Sequence, residues 1–295
     1  MLIVSILIVL IVSIGYYGHH LKQSYALLQN RFNQIIGLRQ IIHLLRFHRR
    51  QSHESLSHIS MDCQKNKTLN ESMAIQNLMR TLINQAEHTH KPMYRILMKR
   101  ITTLLDEWPR YSLQRNQAIH GKAIRHVLYL IDDTITQSLL AADKEPLFKR
   151  YQSTWPVTLN TIDSLSRFRH TINNFAPDSI AMKHELRLHT QILHRRLNQM
   201  SINTREPVSP IIIESLFEQF NSIDLDNPDH TQTKAELYQF SLQVSDTLFN
   251  LFDLVLNDIA NDISIRLPEL PINSDKIVQI TPIEKQPDEK TKNPA

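Results

Sequence analysis

The chain has little glycine and almost no cysteine: 4 glycines and 1 cysteine occur among 295 residues. Sheet proteins of this size need many tight turns and normally use glycine to make them, so its scarcity favours long helices. The lone Cys63 cannot form an intramolecular disulfide and leaves no paired-cysteine metal site. With 41% hydrophobic residues the chain can still bury a sizeable core. We therefore predict an all-α protein.

Neither sign of charge dominates the composition. The 33 lysines and arginines against 29 acidic residues give a formal net charge of +4. Such a near balance indicates no strongly basic surface of the kind that binds nucleic acid. We expect no nucleic-acid partner.

The usual catalytic motifs are missing. The sequence has no phosphate-binding glycine loop, no nucleophile elbow and no kinase glycine box. The adjacent carboxylates Asp132 and Asp133 point in different directions on a helix, which is typical of a solvated face and not of an acid and base pair. We expect a protein that is not an enzyme and that carries no cofactor.

Fifteen histidines raise the question of a metal site. His184 with His189, and His53 with His58, are each five residues apart, which places the two members of each pair on different helix faces. Neither an HExxH motif nor the ExxH pairs of di-iron bundles occur. The spacing therefore predicts no metal site.

Residues 1 to 18, MLIVSILIVLIVSIGYYG, contain no charged side chain. As a helix they would span roughly 26 Å at about 1.5 Å per residue, near the lower limit for crossing a bilayer. A cleaved signal peptide is disfavoured because no basic region precedes the run and no small-residue cleavage site follows it. We interpret this segment as a single-pass transmembrane anchor.

The positive charges that flank the anchor lie on its C-terminal side, at Lys22, Arg31 and Arg39. The positive-inside rule then places the body of the protein in the cytoplasm, attached to the inner (cytoplasmic) membrane.

The periodicity of apolar residues divides the rest of the chain into helices. A proline-free helix is expected to continue from the anchor to about residue 60, before a polar turn at 62–68. Further helices are predicted at 70–108, kinked or divided at Pro92; at 113–141, capped by Ser112; from Pro146 to Phe175, with a kink near Pro156; at 180–200, 211–222 and 232–266. These helices make one sensor domain at 19–267, and residues 268–295, rich in proline and alternating charge, are predicted to be disordered.

One helix places a charge within an apolar stripe. In LRQIIHLLRFHRRQSHESL, a seam of residues spaced by three and four contains Arg49, whereas the opposite stripe looks like a solvated face. The seam consists of Leu38, Ile42, Leu45, Arg49, Ser52 and Leu56, and the opposite stripe of Arg39, His43, Arg46, Arg50 and His53. A buried charge is costly unless something pairs with it. Either a carboxylate elsewhere in the bundle pairs with it, or the guanidinium snorkels to solvent, or it holds a bound anion.

Two later helices carry related features. Asn116 and His120 interrupt the apolar stripe of the third helix one turn apart, and Arg169 falls at the edge of the stripe of the fourth. Guanidinium groups offer paired donors that match planar oxyanions.

The segment LLRFHRRQS resembles the signature of the nitrate- and nitrite-sensing (NIT) domain family, LQ-x-E/H-R-G-x-S. Leu45, His48, Arg49 and Ser52 match it, while Arg46 replaces the glutamine and Arg50 the glycine. The segments SLQRNQAIHGKAIRHVLYLIDD and IDSLSRFRHTINNF are similar to later helices of such proteins, the second in the manner of an LxRLRxxG element. The similarity extends over roughly residues 35–265.

The resemblance implies two packed four-helix bundles that bind nitrate or nitrite between helices and pass a conformational signal to an output module. The family's signature arginine corresponds to Arg49, and Arg169 matches the later element. We therefore expect ligand contacts from Arg49, Ser52, Asn116, His120 and Arg169. Since only the tail follows residue 266, the signal is expected to reach a separate protein partner, and a homodimer is compatible with these features.

The alternative is a structural or scaffolding helical membrane protein that binds no small molecule. In that case the same polar residues are satisfied internally or form a partner-binding surface. Convergence of Arg49, Arg169, Asn116 and His120 on one cavity favours the sensor, whereas a carboxylate paired with Arg49 and no cavity favours the scaffold.

Overall fold

A computed structural model describes residues 2–57, 65–205, 210–263 and 265. Over these ranges the chain is helical and contains no strand, which confirms the all-α prediction. The helices are α1 (Leu2–Ser57), α2 (Lys65–Gln85), α3 (Lys91–Glu107), α4 (Leu113–Ala141), α5 (Glu145–Asn174), α6 (Ile180–Ile202), α7 (Pro210–Asn221) and α8 (His230–Asp262), with a short 3-10 turn at Trp108–Arg110.

The helices pack as two groups of four. In the N-terminal bundle, α1 packs against α2 and α4, while α3 packs against α2 and α4. In the C-terminal bundle, α5 packs against α6 and α8, and α7 closes over α6 and α8. Contacts between α4 and α5 join the two bundles. Each apolar stripe thereby finds a facing helix, which is what amphipathic helices of this length need.

Helix α1 runs unbroken through 56 residues, as the absence of proline predicts. Its side chains become buried from Phe32 onwards, and the predicted seam lies in the core, with Leu38 and Leu45 fully buried. Gly37 is required where α1 meets α2, because a Cβ atom there would lie 2.7 Å from Cδ2 of the buried Leu82.

Local capping signals predicted several helix boundaries correctly. Ser112 caps α4, its hydroxyl accepting a hydrogen bond from the backbone N–H of Arg115. Pro146 lies in the first turn of α5, and Pro156 is accommodated inside that helix. Asp229, which was not predicted as a cap, caps α8 through the N–H groups of Thr231 and Gln232. At these positions the side chain itself satisfies or removes an otherwise unpaired backbone donor.

Other predicted boundaries were wrong. The helix expected at 70–108, kinked or divided at Pro92, is divided: it begins earlier, at Lys65, α2 ends at Gln85, and Pro92 lies in the first turn of α3. The turn predicted at 62–68 is helical from Lys65, and its first residues lie outside the described ranges. The last helix ends at Asp262 and not at 266, whereas the predicted tail at 268–295 lies entirely outside the described residues.

In the part of the chain that the structure describes, no helix contains an apolar stretch long enough to cross a membrane. The anchor predicted at residues 1–18 falls largely outside this part, because the side chains at positions 1–9, 11 and 12 are not among those described. The anchor therefore stays a prediction.

Candidate functional site

Arg49 lies on the buried seam of α1, with 6% of its surface exposed. No carboxylate of the described residues lies within ion-pair distance of it, and its Nε atom has no hydrogen-bond partner. Burial lowers the pKa of the guanidinium, and the nearby Tyr238 and Asp246 only partly oppose this effect. Arg49 is therefore a buried cation without a paired acid.

A second buried arginine faces it from the C-terminal bundle. Arg169 on α5 is 5% exposed and donates through Nε to the hydroxyl of Ser241 at 3.0 Å, and through Nη2 to the Ser241 carbonyl at 2.9 Å. These neutral acceptors fix the guanidinium but do not neutralise it. The pKa of Arg169 falls well below its usual value, first because of burial and next because of the charge of Arg49.

Both arginines line one cavity of about 400 Å³, the Arg49–Arg169 cavity, at the junction of α1, α4, α5 and α6. Its remaining charged lining residues are Lys122, Arg125, Arg167 and Glu185. Arg125 is paired with Asp163, and Glu185 lies 3.4 Å from His189. The cavity thus contains an excess of positive charge and two buried guanidinium forks, whose paired donors match a planar oxyanion.

The other predicted ligand residues do not line this cavity. Ser52, Asn116 and His120 are buried beside it and form a hydrogen-bonded chain between α1 and α4. The Asn116 side-chain amide donates to the Ser52 hydroxyl at 2.8 Å, and that hydroxyl donates to the Arg49 carbonyl at 3.1 Å. These hydrogen bonds fix the backbone of α1 at Arg49. Direct ligand contact by these three residues stays a prediction.

Sequence reasoning did not include His48 among the site residues, although it occupies the signature segment. Its Nδ1 lies 2.9 Å from Nε2 of His120, and its ring packs nearly perpendicular to that of Trp108, with 5.8 Å between centroids. His120 Nδ1 lies 2.8 Å from the Asn116 carbonyl, so we assign its proton to Nδ1 and the shared proton to His48. The two rings form a buried neutral pair, close enough to Arg49 for its charge to lower the pKa of His120.

Acid should destabilise the protein through this pair. Burial lowers the pKa of His48 to about 4, and that of His120 is lowered well below its usual value by burial and by the neighbouring His48. A folded-state pKa below the unfolded value means that the unfolded chain binds more protons, so stability is lost as the pH falls from about 6.5 towards 4. The loss from His48 alone is on the order of 3 kcal/mol at 1.36 kcal/mol per unit.

Urea unfolding at a series of pH values checks this. We expect His48→Gln to flatten the slope of stability between pH 6.5 and 4, because glutamine takes up no proton. The surface variant His88→Gln, at an exposed position, serves as the control. An acid slope that is equal in His48→Gln and the unaltered protein would contradict a neutral buried pair.

The stripe opposite the seam of α1 is not the solvated face that was predicted. Arg39 is buried, with Nε 2.7 Å from Asp253, and Arg46 is paired with Asp246 and lies over the ring of Phe249 at 4.4 Å. Burial lowers the pKa of Arg46 to about 10. The physical reason is that α8 covers this side of α1, so both faces of the helix meet a neighbour.

The fold and the cavity together define a class: an all-α protein of two four-helix bundles with a cationic cavity where they meet. In comparisons with known proteins, no protein-family model, no curated protein and no solved structure matches the chain.

Proposed function

We propose that this chain is a ligand-binding sensor that holds a small oxyanion in the Arg49–Arg169 cavity. One observation carries the proposal: two buried guanidinium groups from different bundles share a cavity, and neither is paired with a carboxylate of the described residues. The scaffolding alternative has these residues satisfied internally or forming a partner-binding surface; the unpartnered Nε of Arg49 does not support the first form, and the burial of Arg49 does not support the second.

The energetics favour an anion at this position. Two cations in a low-dielectric interior repel each other and have each lost their hydration, which is why burial and the charge of Arg49 both lower the pKa of Arg169. An anion between them would offset the repulsion of the two charges and accept hydrogen bonds from the guanidinium groups. Charge-assisted hydrogen bonds of this kind are stronger than those between neutral groups.

The identity of the oxyanion is proposed from the resemblance of LLRFHRRQS to the NIT signature, which points to nitrate or nitrite. Arg49 comes from α1 and Arg169 from α5, so an anion held by both would draw the two bundles together. A small change in the relative position of the two bundles is a motion that a separate output partner can detect. The protein acts here by binding and not by catalysis.

We place the sensor at the inner membrane through residues 1–18, with the helical body in the cytoplasm. Large apolar side chains of α1 that the structure does describe are exposed there: Leu10, Ile14, Tyr16 and Tyr17. Such side chains, and the uncharged N-terminal run, are suited to a lipid environment.

Protease protection checks this topology. Added to intact spheroplasts, trypsin should leave the body uncut despite its 33 lysines and arginines, and detergent lysis should expose it to digestion. Rapid digestion of the body without lysis would contradict the orientation.

An anion panel tests the binding itself. Thermal melts of the full chain in non-ionic detergent, with nitrate, nitrite, chloride and sulfate at equal ionic strength, should show a rise in Tm with nitrate or nitrite that exceeds the rise with chloride. Arg169→Lys keeps the charge but loses the fork that donates to Ser241, so we expect it to reduce the response. Equal shifts with all four salts would indicate general screening and not a site.

A further inference from the structure

A second cavity lies on the other side of α1, between that helix and α8. This α1–α8 cavity has a volume of about 290 Å³ and takes its charged lining residues from both helices: Arg39, Arg46, Arg49, Arg50, Asp246 and Asp253. Four guanidinium groups face two carboxylates, which leaves a formal excess of two positive charges. Neither the NIT resemblance nor the proposed oxyanion site accounts for this cavity.

Three residues that line only this cavity carry a buried polar atom without a hydrogen-bond partner: Arg39 Nη1, Arg46 Nε and Ser245 Oγ. The two nitrogen atoms are obligate donors, and the hydroxyl is able to donate. Buried donors are normally satisfied, so several in one place indicate a missing acceptor. Asp246 and Asp253 do not supply it, because they contact other nitrogen atoms: Nε of Arg39, Nη2 of Arg46 and Nη2 of Arg50.

Apolar rings make up much of the remaining wall. Phe47, Phe249 and Phe252 line the cavity together with Ile42 and Leu242. His43 adds little charge, because burial and the neighbouring Arg46 lower its pKa. A ligand that fits this wall therefore needs an apolar body as well as an acceptor group.

We propose that the α1–α8 cavity binds a small organic carboxylate with an apolar or aromatic body, of about the size of benzoate. The carboxylate pairs with the guanidinium groups that the two aspartates leave in excess, and the body packs on the phenylalanine rings. The volume is at the lower end of that of small-molecule pockets, roughly 300 Å³.

This site is separable from the oxyanion site. Arg39 and Ser245 line only the α1–α8 cavity, and Arg169 lines only the Arg49–Arg169 cavity. Arg49 lines both, so occupation of one cavity by an anion reduces the positive charge available to the other. A carboxylate in the α1–α8 cavity therefore weakens the binding of an oxyanion next to it.

Isothermal titration of the full chain in non-ionic detergent tests the proposal with three probes: benzoate, its neutral counterpart benzamide, and acetate, which has the charge without the ring. We expect benzoate to bind at least tenfold more tightly than either of the others. Equal affinity for benzamide, or no detectable benzoate binding at millimolar concentration, would overturn the proposal.

Variants locate the binding. Arg39→Gln removes the donor charge, and Asn250→Trp, at an exposed lining position, fills the cavity with little effect on the core. Each should weaken benzoate at least tenfold, while Arg169→Lys leaves it within twofold. Benzoate binding that is lost in Arg169→Lys but kept in Arg39→Gln and Asn250→Trp would place benzoate in the other cavity and overturn the assignment, whatever the nitrate response.

Discussion

Nitrate at a hundredfold excess over its dissociation constant is expected to stabilise the native protein by about 2.7 kcal/mol, and Arg49→Lys to remove most of that gain. A ligand that binds only the folded state stabilises it by mass action, so the shift reports the contact directly. Lysine keeps a positive charge at the position but presents a single ammonium in place of a planar fork. Thermal melts with and without nitrate measure the difference.

The matched control for this exchange is Arg95→Lys, an exposed position on α3 with no ion pair among the described contacts. It should alter neither the melt nor the nitrate response. Arg46→Lys is unsuitable, since Arg46 is half-buried and paired with Asp246. A nitrate shift that survives intact in Arg49→Lys would remove this residue from the site.

The second large effect concerns the protein without ligand. We expect Arg49→Met to leave the free energy of unfolding unchanged or to raise it by about 1 to 4 kcal/mol. Methionine is of similar length and fills irregular space, and the substitution removes a desolvated charge without leaving a carboxylate unpaired. It also removes the repulsion between Arg49 and Arg169. Denaturant unfolding at low anion concentration measures the change.

Arg39→Met is the informative comparison, because Arg39 does have an acid partner. Its loss leaves Asp253 without the guanidinium 2.7 Å away, and we expect a cost of about 1 to 3 kcal/mol. The scaffolding alternative makes the opposite forecast for Arg49, since breaking an internal buried pair costs about 3 to 5 kcal/mol. A loss of that size in Arg49→Met would support internal satisfaction and count against the sensor.

Much of the fold was readable from the sequence because its signals are local. The apolar period of 3.6 residues predicted α4 from Leu113 to Ala141, and the hydroxyl of Ser112 marked where it begins. The absence of proline predicted the length of α1. The same information left two outcomes open at Pro92, since a proline is compatible with both a kink in one helix and the first turn of another, and the structure shows the second.

The site was only partly readable, because its geometry depends on contacts between distant parts of the chain. The arginine in an apolar seam identified Arg49, and the later element identified Arg169. The charged stripe with Arg39 and Arg46 looked solvated because their partners on α8, Asp253 and Asp246, lie some 200 residues further along. No local sequence pattern identifies such pairs. The α1–α8 cavity was not predicted, because it lies between the same two helices.

The most direct test of the central claim is a crystal structure of the protein grown with nitrate and compared with one grown without it. The account predicts difference density for a planar anion in the Arg49–Arg169 cavity, with oxygen atoms about 2.7 to 3.1 Å from the guanidinium nitrogens of both arginines. A cavity that stays free of anion at saturating nitrate, or a carboxylate side chain paired with Arg49 in its place, would contradict it.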